Sequence, residues 1–251
     1  MSSEFFNKIV QWEISGEKFP TFYYDNTSLT AVFTASTDRV RNYLPHPDMH
    51  PIELYPGRCL VAFAAYEYRK TDIGPYNEFG IAVLVTFRKR QIPGVTIALQ
   101  MIHQRFTSYV WHLPVTTERA RLGGVEIYGY PKFLADISFE KQNDIIACHL
   151  SAENQKILTL KGKVLPTHRG KVTRNITYSV KDGIPLVTNI YMDPLEYAET
   201  RSSKVAELDI GSGHPICDEL KEIQLSRKPF EYQYAPKAQS ILFSPRNIID
   251  D

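Results

Sequence analysis

The chain reads as mainly β. Nine segments rich in β-branched and aromatic residues recur along it, and Gly, Pro, Asn and Asp clusters separate them. Gln142-Asn-Asp144 and Glu153-Asn154 have the composition of turns between neighbouring hairpin strands. Helical signals are few. About ten strands in one chain close into a barrel or pack as a sandwich.

In chain order, strands are expected over Thr30–Ser36, Cys59–Tyr68, Phe79–Phe87 and Val95–Phe106. They continue over Asp136–Glu140, Ile145–Leu150, Lys156–Lys163, Asn175–Lys181 and Val187–Met192. Two short helices are expected. One runs from Ser36 towards Leu44 and stops before Pro45. The other covers Thr116–Leu122, with Gly123 and Gly124 ending it. Pro166–Lys171 reads as a flexible connection, and the mixture of Gly, Pro, Ser and charge after Asp193 favours no element.

The 251 residues suit one domain spanning 1–251, and 43% hydrophobic residues are enough for a sizeable core. Lys and Arg number 29 against 28 Asp and Glu, a net +1 that offers no footprint for nucleic acid or an anionic membrane. No apolar run approaches the ~20 residues of a membrane span, and Met1–Val10 lacks the pattern of a signal peptide. Cys59, Cys148 and Cys217 are odd in number and far apart, which points to reduced cysteines in a cytoplasmic protein.

Several chemistries find no support. The histidines lack ligand-type spacing, and Pro47 stands between His46 and His50, so no metal site is expected. Ser212 sits outside a Gly-x-Ser-x-Gly elbow. No strand and helix bracket Gly211-Ser-Gly213 as a phosphate loop requires.

One lysine stands out. Lys132 follows Tyr130-Pro131 and precedes Phe133-Leu134-Ala135. An apolar setting disfavours an ammonium, so a lysine placed there keeps a free amine able to form a Schiff base with a carbonyl. The same pattern also fits a surface lysine laying its stem on apolar neighbours, and local composition does not separate the two.

Gly124-Val-Glu-Ile-Tyr-Gly-Tyr-Pro-Lys-Phe-Leu-Ala135 resembles the signature of the acetoacetate decarboxylase family, Gly-Arg-Glu followed by aromatic-Pro-Lys-Lys-Leu. Ile73-Gly-Pro-Tyr-Asn-Glu-Phe-Gly80 is similar to the family's loop bearing an active-site glutamate, here Glu78. Thr37–Pro47 and Ile241–Arg246 resemble its N-terminal helix-and-turn and its last strand. The family is itself the standard instance of a lysine activated for imine formation, so the mechanism follows from the resemblance.

The resemblance implies a closed or nearly closed antiparallel β-barrel with a few short helices. It also implies a homo-oligomer and a Schiff-base lyase needing no cofactor, acting on a small-molecule carbonyl substrate. Lys132 would be the nucleophile and Glu78 the acid–base partner. Phe133, Tyr130, Tyr128, Tyr76 and Phe63 would line the substrate pocket, and Glu126 would orient the lysine or face solvent. The departures are specific. Phe133 replaces the second lysine, Val125 the arginine of Gly-Arg-Glu, Thr27 an N-terminal arginine and Phe63 an acidic residue. The pocket should therefore be more apolar than a decarboxylase's, with no cation for a substrate carboxylate, which opens aldol or dehydration chemistry. The alternative is a non-catalytic barrel that binds an apolar small molecule.

Overall fold

The computed structural model describes residues 4–14 and 16–248, so Met1, Ser2 and Ser3 of the N-terminal stretch lie outside it. Five helices occur among these residues: α1 (Glu4–Asn7), α2 (Thr37–Arg41), α3 (Val95–Ile102), α4 (Glu118–Tyr128) and α5 (Pro215–Glu222). The strands of the first half are β1 (Trp12–Ile14), β2 (Glu17–Phe19), β3 (Thr21–Ser36), β4 (Met49–Pro51), β5 (Glu53–Tyr55), β6 (Arg58–Thr71), β7 (Tyr76–Phe87) and β8 (Arg105–His112). Those of the second half are β9 (Asp136–Gln142), β10 (Ile145–Ala152), β11 (Gln155–Lys163), β12 (Thr173–Lys181), β13 (Ile184–Thr200), β14 (Ala206–Ile210), β15 (Glu231–Leu242) and β16 (Arg246–Asn247).

Seven strands close a barrel in the order β7-β8-β12-β13-β15-β3-β6, and β6 pairs back onto β7. The barrel is mixed rather than antiparallel throughout, because β8 and β12 run parallel. Some sixty residues separate these two strands, and a parallel pair needs such a crossover. That crossover carries α4 and most of a second sheet, β14-β11-β10-β9. Apolar side chains of this sheet, among them Ile146, Leu150, Ile157 and Leu160, share the main core with Leu29, Phe33, Phe63 and Ile81 of the barrel.

Eight of the nine expected strands lie within observed ones. The exception is Val95–Phe106. Its β-branched and aliphatic content suggests a strand, yet α3 covers Val95–Ile102 and β8 begins only at Arg105. Ile97 and Met101 stand four residues apart and pack on Ile52, Leu60 and Leu84, so tertiary burial outweighs local propensity.

Two other expectations are corrected. Pro166–Lys171 is not a loose connection: His168 and Tyr197 exchange backbone hydrogen bonds of 2.9 and 2.8 Å, and Gly170 N–H donates to Pro194 O at 3.0 Å. The partner here is β13, which runs past Met192 to Thr200 by way of register shifts around Pro194 and Glu196. A shift is where a residue without an N–H is tolerated. The second helix does not end at Gly123-Gly124 but continues to Tyr128.

Candidate active site

Glu78 lies on β7, opposite Tyr66 of β6. Beyond the end of β8 the chain stays extended, and Val115 bridges Glu78 on one side and Leu134 on the other. Phe79 N–H donates to Pro114 O and Thr116 N–H to Asn77 O; Val115 N–H donates to Phe133 O and Ala135 N–H to Val115 O, all at 3.0 Å. Three segments therefore run side by side, which brings Lys132 to a residue 54 positions earlier in the chain.

The long form of α4 sets the lysine stem. Gly129, with φ of +60°, ends the helix, and a Cβ there would meet the Lys181 Cβ at 2.7 Å, so glycine is required on both counts. The chain then turns back along the helix. A Cβ on Gly124 would stand 2.2 Å from Lys132 Cδ and 2.5 Å from Cε. Gly124 is thus the groove in which the lysine lies.

Lys132 Nζ donates to Glu78 Oε2 at 2.7 Å, and both side chains are buried, 7% and 9% exposed. Tyr68 OH donates to Glu78 Oε1 at 3.4 Å. The ammonium stands 5.7 Å from the centre of the Tyr76 ring, and Tyr76 OH donates to Tyr23 OH at 3.3 Å. Burial, and next the charge of Glu78, push the Tyr68 and Tyr76 phenols well above the ordinary tyrosine range, and the same two causes lead for Tyr23. Burial pushes Tyr130 up to about 12, while hydrogen bonds with Thr177 and Thr188 pull the other way. These phenols keep their protons and remain donors.

A cavity of about 50 Å³ adjoins the lysine, lined by Lys132, Gly124, Tyr23, Tyr128, Tyr130 and Leu242 among others. Glu78 is not part of that lining, whereas Lys132 is. A larger concavity of about 820 Å³ runs along the β9–β10–β11–β14 sheet, but it is open, mixed in charge and contains neither Lys132 nor Glu78. Among the described residues no three His, Cys, Asp or Glu side chains converge as a metal site would require.

The family model for acetoacetate decarboxylase matches residues 9–235. The chain belongs to the acetoacetate decarboxylase family. Solved structures agree on the fold. An acetoacetate decarboxylase from Legionella pneumophila subsp. pneumophila str. Philadelphia 1 superposes with a TM-score of 0.65 at 14% identity, covering 91% of this chain and 87% of that one. MppR, an enduracididine biosynthesis enzyme complexed with pyruvate, gives 0.62 at 12% identity, covering 91% and 90%. An acetoacetate decarboxylase-like enzyme from Sphingomonas wittichii RW1 gives 0.54 at 11%, covering 90% and 93%. No curated protein matches the sequence.

The structure brings together five of the eight residues that sequence reasoning selected. Lys132 and Glu78 pair, Tyr76 lies under the ammonium, and Tyr128 and Tyr130 stack 5.4 Å apart in the cavity wall. Three lie elsewhere. Phe63 pairs with Ile81, whereas Glu78 pairs with Tyr66, so alternation along the strands sends Phe63 to the opposite face, edge-on to Phe33. Phe133, next to Lys132 in an extended segment, stacks on His214 at 6.3 Å instead of lining the cavity. Glu126 is exposed and faces Lys181 at 3.7 Å. Thr27, at the position of the family's arginine, pairs with Glu67 and so also lies on the face away from Glu78.

Tyr23, Tyr68 and Gly124 belong to the site without having been selected. Tyr68 shares a face of its strand with Tyr66, but which face meets Glu78 shows only once the strands are paired. Tyr23 had no readable signal, because its role depends on contacts made across the fold; Gly124 had one, as the first residue of the family signature, but not for its role as a groove.

Proposed function

We propose that this chain is a cofactor-independent Schiff-base lyase acting on a keto acid or related carbonyl compound. One observation carries the reading: a buried Lys132–Glu78 pair at 2.7 Å of which the lysine, and not the glutamate, lines an aromatic cavity. An ammonium must lose a proton before it adds to a carbonyl, and Glu78 is positioned to take it. The free amine attacks the carbonyl carbon, Glu78 hands its proton to the carbinolamine hydroxyl so that it leaves as water, and the resulting iminium draws electrons from the adjacent carbon. A bond to that carbon then breaks, releasing carbon dioxide, a proton or an aldehyde fragment; the enamine carbon takes up a proton from water by way of Glu78, and hydrolysis of the iminium releases the product and restores Lys132. The neutral phenols supply O–H donors to the departing hydroxyl.

MppR has been solved with pyruvate and with the condensation product of pyruvate and imidazole 4-carboxaldehyde. That precedent supports a keto-acid substrate class and keeps aldol-type chemistry beside decarboxylation. Three buried free cysteines suit a cytoplasmic setting. Assembly into a homo-oligomer belongs to the same reading. Exposed Val95, Leu99 and Ile102, on one face of α3, are the surface it would cover, and a monomeric sedimentation coefficient would count against it.

Incubation with acetoacetate or pyruvate, borohydride reduction and peptide mapping test the chemistry. An adduct on Lys132 is expected. A panel of ketones and keto acids that leaves the mass unchanged would overturn the proposal in favour of a barrel that binds an apolar ligand. Carbon dioxide release from acetoacetate separates decarboxylation from the other lyase reactions.

A further inference from the structure

The cavity beside Lys132 is small. About 50 Å³ of space for water-sized groups accommodates roughly three or four of them. A carbonyl end fits, and a substrate longer than this must extend outward. The remaining wall shows where. Arg119 of α4 and Glu17 of β2 line the same cavity and are partly exposed, 50% and 37%, so they mark its solvent end. Arg119 stands five residues before Gly124 on the helix, roughly 7.5 Å along its axis from the groove that holds the lysine.

The geometry of this pair is that of a carboxylate in a guanidinium fork. Arg119 Nε donates to Glu17 Oε1 at 3.3 Å, and Nη2 donates to Oε1 at 3.2 Å and Oε2 at 3.1 Å. Glu17 is carried by the β1–β2 hairpin, which forms a two-stranded sheet of its own and not part of the barrel. An incoming carboxylate would meet the same donors in the same arrangement.

We propose that Arg119 is the substrate-carboxylate receptor of this site and that Glu17 holds its place until an anionic carbonyl compound displaces it. The proposal rests on the Schiff-base reading of Lys132 and narrows it to substrates with a carboxylate beyond the carbonyl. The cation that family comparison leaves missing at Thr27 is thereby supplied from a different element.

Two probes of matched length test it: 4-oxopentanoate and its uncharged amide, 4-oxopentanamide, each trapped on Lys132 with borohydride. The readout is the ratio of second-order trapping rates, acid over amide. Arg119→Gln is expected to lower that ratio at least tenfold, and Glu17→Gln to raise it, since the competing carboxylate is gone. A clasp that only holds the hairpin in place would shift the ratio the same way in both variants, or leave it alone; either result overturns the proposal while Lys132 stands. Failure of both probes to label the wild-type protein would instead sink the Schiff-base reading itself, and this one with it. Thermal melts confirm that both variants are folded.

Discussion

Gly124→Ala tests the groove directly. The added methyl carbon would lie 2.2 Å from Lys132 Cδ, 2.5 Å from Cε and 3.0 Å from Cγ. Carbon atoms rest about 3.5–4.0 Å apart, so the lysine stem must retreat by roughly 1.3 Å or more. Misplacement of a reacting group by about 1 Å costs on the order of 10²-fold in rate. The obstacle is a flexible side chain rather than backbone, and alanine in a helix gains about 0.5–1 kcal/mol over glycine, so the fold should survive. Gly123→Ala is the control, because its Cβ would meet nothing within 4 Å. It should raise stability by about 0.5–1 kcal/mol. Borohydride trapping under single-turnover conditions, alongside urea melts of both variants, separates the two effects. Trapping at the wild-type rate in Gly124→Ala would refute the claim that this glycine places the lysine.

Two further outcomes follow from the site. Removing one partner of a buried pair strands the other, so Lys132→Met should destabilise by about 3–5 kcal/mol, and adding Glu78→Gln should recover much of that loss; additive costs in denaturant melts would mean the pair is not coupled. Tyr23, Tyr68 and Tyr76 hold their protons more tightly folded than unfolded, because of burial and the Glu78 charge. Their stabilisation is complete below the unfolded value near 10 and is lost as pH rises above it, at about 1.4 kcal/mol per pH unit for each phenol. Tyr23→Phe should make the fall between pH 10 and 11 shallower by about 1 kcal/mol, since the unfolded phenol is only half ionised at the start of that interval, and an unchanged slope in urea melts would count against it.

Strand positions were legible because alternation and turn chemistry are local. Glu153 and Asn154, read as a turn, both take left-handed φ values of 53° and 60°, as a two-residue hairpin between β10 and β11 requires. α3 was not legible, since its helical state depends on Ile97 and Met101 packing on Ile52, Leu60 and Leu84, which are distant in sequence. At the site, Lys132 and Glu78 were found through residues that neighbour them in sequence. Phe63 and Phe133 were misplaced for one reason: an extended chain alternates faces, and family position alone does not say which face a side chain takes. Gly123-Gly124 read as a helix stop because two glycines usually are one. The helix continues through them, and at Gly124 the missing side chain is space for another residue's stem.

The Lys132–Glu78 pair is not explained by stability. Two buried charges give up hydration that their attraction only roughly repays, and apolar side chains of similar volume would fill the space at no greater cost. The pair is not needed to join its segments either, because four backbone hydrogen bonds already link 77–79, 113–116 and 133–135. What the proposed reaction asks of it, and packed hydrocarbon could not give, is a proton passed between two groups shielded from water. The surrounding phenols do not compete for that role, since Tyr23, Tyr68 and Tyr76 are all pushed towards their neutral forms. With Lys132 lining the cavity and Glu78 outside that lining, the proposed reaction acquires an order. The proton leaves towards Glu78 first, and the carbonyl compound then adds from the cavity.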